Sequence, residues 1–175
     1  MKKNINIQEK FAANEGILST KELQAAGISY YQLNKLMQAD KVEKIKQGLY
    51  RWCDFTGNDW VELAKLIPLG VFCLYSAAAY HELTTFISSH SHIAIAAKRK
   101  IQLPDYPSIQ LYYWKGEQLE KGKIDVLQDC GMPIWIFDKE KTVCDFLKFR
   151  NKTGHDLMKE VLGNYLQQEG RNISK

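Results

Sequence analysis

The stretch from Gly16 to Trp52, "GILSTKELQAAGISYYQLNKLMQADKVEKIKQGLYRW", constrains the fold of this chain more than any other. It sets two short helical segments, each preceded by a hydroxyl residue able to cap it, on either side of a Gly-containing turn. A basic hairpin follows. In "LSTKELQAAG", Ser19 or Thr20 serves as N-cap, Glu22 lies in the first turn, Leu23 and Ala26 share one side, and Gly27 is the stop. After "GIS", Ser29 can cap "YYQLNKLMQAD", where Leu33, Leu36 and Met37 recur at i, i+3 and i+4 with Tyr30 beside them. Upstream, "NINIQEKFAANEG" carries Ile5, Ile7, Phe11 and Ala12 and ends at Gly16, which predicts a preceding helix. Two helices joined by a turn of a few residues make a helix-turn-helix, whose second helix enters the DNA major groove.

The hairpin "VEKIKQGLYRW" then reads as a wing. Gly48 in the Gln47-Gly48 turn permits the positive φ of a tight hairpin, and Ile45, Leu49 and Tyr50 can tie the strands to the helices. At about 100° per residue, Tyr31, Lys35 and Gln38 point away from the Leu33 stripe, with Gln32 and Asn34 flanking them. Gln and Asn can pair with adenine, Lys can reach guanine or a phosphate, and Tyr can touch a phosphate or a thymine methyl. Tyr31, Gln32, Asn34, Lys35 and Gln38 are therefore the expected groove-facing residues. Lys44, Lys46 and Arg51 are the expected phosphate contacts of the wing.

Charge agrees with this division. Residues 1–58 hold 9 Lys and Arg against 6 Asp and Glu, whereas residues 59–175 hold 15 against 14. The basic excess at the front favours a polyanionic partner, double-stranded DNA, for that segment. A hydrophobic content of 45% is too high for a disordered chain. No apolar run approaches the roughly 20 residues of a membrane span, and "MKKNINIQEK" lacks the apolar centre of a secretion signal, so a soluble cytoplasmic protein is expected. Cys53, Cys73, Cys130 and Cys144 form no C-x-x-C pair, which favours buried free thiols over zinc or thiol exchange.

A boundary is expected within "CDFTGN", dividing residues 1–56, the winged helix, from residues 57–175, a mixed α+β domain with a small sheet and flanking helices. Asn58 can cap "DWVELAKLIP", with Trp60, Leu63, Ala64 and Ile67 at helical spacing. Ser76 can cap "AAAYHELT". "HIAIAAK", "IQLYYWK", "IDVL" and "PIWIF" read as strands, the last of them central. Two closing helices carry stripes of Val143, Phe146 and Leu147, and of Met158, Val161, Leu162 and Tyr165.

Catalysis has little to build on. His90 and His92 in "HSH" could project from one strand face, but no neighbouring carboxylate or Cys completes a ligand set, and solvated loop histidines are the favoured reading. His81-Glu82, Asp125, Asp129 and Asp138 have no spacing that demands an acid-base pair, and neither a Walker-type loop nor a G-x-S-x-G elbow is present. The expectation is a non-enzyme without metal or cofactor. Lys98, Arg99 and Lys100 in "AKRK" are a secondary candidate for a phosphate or an acidic partner. Tyr112 and Trp114 should share one sheet face for core packing, leaving Tyr113 on the other.

The run from Gly16 to Trp52, with its "G...T..EL...GIS" opening and "G.YR" close, resembles the winged helix-turn-helix of the abortive-infection AbiEi family of antitoxins. Two further islands, "LYSAAAYHELTT" and "PIWIFDKEKTVCDFLKFR" with its "..EKT..D.L" pattern, resemble the same family in the same order. The resemblance implies a component of a type IV toxin-antitoxin system. Its DNA-binding domain would repress its own operon, and its second domain would counteract a nucleotidyltransferase-like toxin. A winged helix that binds protein, or a regulator without antitoxin activity, is the alternative.

Overall fold

A computed structural model describes residues 6–172. It separates into two compact units, one made of the chain up to Pro68 together with Leu127–Met132, the other of Leu69–Val126 and the chain from Pro133 onward. Ile5 lies outside the described residues.

In the first unit, α1 (Ile7–Ala12) buries Phe11 and is capped by Asn6. The chain then reverses at Gly16 (φ +72°) into β1 (Ile17–Ser19), a strand not expected from the sequence. Ser19 closes a capping box with Glu22 at the start of α2 (Thr20–Ala25), and Ser29 does the same with Gln32 for α3 (Tyr30–Gln38). The hairpin forms as β2 (Val42–Lys46) and β3 (Leu49–Trp52), with Gly48 at φ +78° in the turn. β3 is the centre of an antiparallel sheet of order β1-β3-β2, so the wing is anchored on both edges of that strand. One core joins all of these elements: Phe11, Leu18, Leu23, Ile28, Leu33, Val42, Tyr50 and Trp52 are buried together. Each large apolar side chain so buried contributes about 1.5–3 kcal/mol.

α4 (Asp59–Leu66) follows the boundary expected at 56/57, yet its side chains hold it in the first unit. Arg51 bridges to Glu62 at 2.9 Å, and the nearly buried Lys65 ammonium donates to the Ile17 carbonyl at 2.6 Å and meets Glu22 at 3.1 Å. Burial alone would raise the Glu22 pKa, but the Ser19 and Lys65 contacts outweigh it and keep the carboxyl below its usual value. The buried face of α4 carries Val61, Leu63, Leu66 and Ile67, leaving Trp60 and Ala64 half-buried, a rotation from the stripe read in the sequence.

Gly16 tolerates no side chain easily. An added Cβ would lie 2.3 Å from Cδ1 of the Phe55 ring, on a backbone that L-residues rarely adopt. Gly16→Ala is expected to cost about 2 kcal/mol, visible as an earlier denaturant midpoint. An unchanged midpoint would mean that Phe55 yields freely.

The second unit is built on a five-stranded sheet of order β6-β5-β4-β8-β7, comprising β4 (Val71–Phe72), β5 (Ser91–Ala96), β6 (Ile109–Trp114), β7 (Lys123–Leu127) and β8 (Pro133–Phe137). β5 runs parallel to β6, and β4 antiparallel to β5 and parallel to β8. β4 is too short to show a pattern in sequence, yet it is the middle strand. α5 (Leu74–Tyr80), α6 (Gly116–Glu120), α7 (Lys139–Thr153) and α8 (His155–Gln167) complete the unit. Its core gathers Val71, Leu74, Ala78, Trp114, Phe137 and Phe146. α5 starts at Cys73 rather than Ser76. Ser76 sits inside the helix, where its hydroxyl accepts from the His92 N–H at 2.8 Å.

The "..EKT..D.L" island has a structural reading. Asp138 caps α7 by accepting from Lys141 N–H at 2.7 Å, and buried Thr142 donates back to the Asp138 carbonyl at 2.7 Å. One turn further on, Lys141 meets buried Asp145 at 2.5 Å.

Candidate nucleic-acid interface

The outer face of α3 is open to solvent. Leu33 fixes the helix to the core, with Leu36 and Met37 packed beside it. That anchoring leaves Tyr31 76% exposed and places Lys35 and Gln38 on the same open face, as the 3.6-residue period requires. Asn34 is half-buried at its edge. Gln32 is exposed, but its side-chain oxygen accepts from the Ser29 N–H at 2.9 Å and from the Ser29 hydroxyl at 2.9 Å. It can offer a ligand its amide N–H groups only, since the acceptor needed to read adenine with both bonds is spent on the cap.

Tyr30 departs from the sequence expectation. Counted with the Leu33 stripe, it is 70% exposed beside Tyr31, because the first residue of a helix lies beyond the last turn that packs on the core. Its position directly after the cap Ser29 was the signal available. Two adjacent tyrosines therefore stand at the N-terminal end of α3, where recognition helices contact DNA.

The three wing cations have unequal surroundings. Lys44 is exposed and donates to the Gln47 side chain across the turn at 2.7 Å. Lys46 turns inward and donates to the Leu66 carbonyl at the end of α4. Arg51 is held by Glu43 at 2.7 Å and Glu62 at 2.9 Å. Burial would lower the Arg51 pKa, but the two carboxylates outweigh it and raise it, so the guanidinium stays charged and paired. Lys41, in the turn between α3 and β2, was not singled out in the sequence and is exposed.

In the second unit the sequence candidates are dispersed. Lys98 and Lys100 are exposed in the turn after β5, with Arg99 half-buried between them. Tyr113 is 55% exposed and Trp114 buried, the alternation expected of that strand. His90 is exposed, whereas His92, expected in a solvated loop, is a buried strand residue. Its ring nitrogens meet the Tyr112 hydroxyl at 2.9 Å and the Ser88 hydroxyl at 2.8 Å. His81 bonds the Phe137 carbonyl at 2.7 Å, and Asp138 is spent on the α7 cap. Among the described residues no three His, Cys, Asp or Glu side chains gather as metal ligands. The cysteines are free, but of the four only Cys73 is buried, since Cys53 and Cys144 lie exposed and Cys130 half-buried. Among the described residues no helix is long and apolar enough to cross a membrane.

What the fold and its open helix face define is a winged helix-turn-helix protein whose α3 presents exposed polar and aromatic side chains. Residues 6–51, the span from α1 through most of the wing, match the family model described as "Transcriptional regulator, AbiEi antitoxin", the family that the sequence resembles. That is a family of regulators rather than of enzymes. The islands at Leu74–Thr85 and Pro133–Arg150 lie beyond the matched span. A search of curated proteins found no match.

Proposed function

We propose that this chain is a DNA-binding transcriptional repressor of its own operon and the antitoxin of a type IV toxin-antitoxin pair, with a nucleotidyltransferase-like toxin as its counterpart. The observation that carries the DNA reading is the α3 face: Tyr31, Lys35 and Gln38 stand open on a helix capped at its start and fixed by Leu33 to the core. The antitoxin half rests on the family match and on the two islands of resemblance. DNA binding belongs to residues 1–56 with α4 as a buttress, and residues beyond carry the action against the toxin. The protein works in the cytoplasm and without catalysis.

The wing geometry refines the roles. Lys35, Lys41 and Lys44 are the phosphate-directed cations, Asn34 and Gln38 read bases, and Tyr30 and Tyr31 contact the backbone or a thymine methyl. Gln32, Lys46 and Arg51 hold the interface in shape, and their contribution to binding runs through that shape. Lys98, Arg99 and Lys100 remain a secondary contact for phosphate or an acidic partner.

The test is binding of the full chain to the duplex upstream of its own gene and to an unrelated duplex, at two salt concentrations. Lys41→Ala/Lys44→Ala should weaken both by about tenfold and reduce the salt slope by about 2. Asn34→Ala or Gln38→Ala should cost about 1–3 kcal/mol on the upstream duplex and little on the other. Indistinguishable binding to the two duplexes by the unaltered protein would exclude a sequence-specific repressor and favour a protein-binding winged helix.

A further inference from the structure

A cavity of about 280 Å³ opens in the second unit between β5, β6, α5 and the end of α7. Its walls are aromatic. Tyr75 stands 4.5 Å from the His92 ring and 5.6 Å from Phe86, while Tyr112 stacks on His92 at 5.7 Å and meets Phe149 at 6.5 Å. Phe86 lines the cavity and is half-exposed. The cavity lies just below the usual range for ligand pockets, about 300–1,000 Å³, which suits one ring system whose substituent reaches out through the opening.

Polar groups enter this aromatic enclosure from two sides. Ser88, His92 and Tyr112 form one hydrogen-bonded row. Burial, aided by the neighbouring charge of His90, lowers the His92 pKa to about 4, so the ring is neutral at pH 7. The row then contains three hydrogens, one each on Ser88, His92 and Tyr112, and has two internal bonds to use them. Whichever tautomer His92 adopts, one hydroxyl hydrogen is left over at the Ser88 end or the Tyr112 end, both of which line the cavity. On the other side Lys152 lines the opening, its ammonium 6.0 Å from the centre of the Phe149 ring.

We propose that this cavity binds a small planar aromatic molecule carrying an anionic group, with the ring against Tyr75, Tyr112 and Phe149 and the anion on Lys152. The spare hydroxyl hydrogen of the Ser88–His92–Tyr112 row donates to an acceptor on the ring. A flat π-system matches walls made of ring faces and edges, and the cation at the rim sets the sign of the substituent. A 5′-mononucleotide and an aromatic carboxylate share this chemistry. The site is independent of the DNA-binding reading.

Calorimetric titration of the full chain with AMP, GMP, CMP and UMP, with benzoate and indole-3-acetate, and with ribose 5-phosphate tests the assignment. Saturable binding of a nucleotide or of an aromatic carboxylate is expected, and the arm that binds identifies the source. Ribose 5-phosphate, which has the anion and no aromatic ring, should bind at least about tenfold more weakly. Lys152→Ala, at an exposed position, should weaken the bound probe about fivefold or more, and Tyr112→Phe should weaken it by removing one end of the row. No binding of any aromatic probe up to about 10 mM, or binding that neither substitution changes, would overturn the proposal.

Discussion

Asp145→Ala is expected to destabilise the protein by about 3 kcal/mol, although Asp145 touches no proposed ligand. The carboxylate is 2% exposed and meets the Lys141 ammonium at 2.5 Å, while its second oxygen is buried without a hydrogen-bond partner. Burial raises the Asp145 pKa, and the Lys141 contact offsets that only in part. The pair as a whole is thus a poor source of stability, but removing one member leaves the other charge in a place chosen for two. The Lys141 ammonium lies 4.1 Å from the centre of the Trp114 ring and 5.2 Å from that of Phe137, so the indole retains some attraction for it. This holds the loss near the lower end of the range for a broken buried pair. Lys141→Met/Asp145→Leu, which removes both charges and keeps the volume, should recover most of the stability in a denaturant titration. A single variant as stable as the parent, or a double variant as weak as the single, would refute this account of the pair.

The same pair shows which parts of the fold could be read in advance. Lys141, Thr142 and Asp145 were visible as a pattern, but sequence spacing gives no depth, and only packing of α7 on the sheet turns an i, i+4 pair into a buried one. Capped helices were legible because their signals are local: Ser19 with Glu22 and Ser29 with Gln32 act within one turn. The strands from β5 onward were legible for the same reason, each being a run of β-branched or aromatic residues. β1 and β4 were not, since three and two residues carry no periodicity and become strands only by pairing with β3, or with β5 and β8. On the candidate interface, the 3.6-residue period placed Tyr31, Lys35 and Gln38 correctly on one open face. It could not place Lys46 and Arg51, whose partners Leu66 and Glu62 lie on a helix assigned to the following domain. The burial of His92 was missed because "HSH" looks polar, while its neighbours Ser88 and Tyr112 supply the bonds that make burial tolerable.

That burial makes His92 the source of a second large effect. In the unfolded chain the ring binds a proton below about pH 6.5, whereas in the folded chain burial lowers this to about 4. Between these values the unfolded state binds more protons, so stability is fully present above the unfolded pKa and is lost as pH falls towards the folded one. The gap corresponds to about 3 kcal/mol between pH 7 and pH 4. His81, lowered first by burial, acts with the same sign. Asp145 acts oppositely, because its raised pKa gives the folded state the tighter hold on a proton. Glu22 and Glu160, whose pKa values are lowered, lose their contributions only as the carboxylate range is reached. Comparing the parent with His92→Gln removes these shared contributions. The glutamine keeps one amide to bond Ser88 or Tyr112 and cannot take up a proton, so the variant should be less stable at pH 7 yet lose less stability on acidification to pH 5. Parallel stability curves for the two proteins over that interval would show that His92 titrates alike in the folded and unfolded chain, contrary to the burial argument.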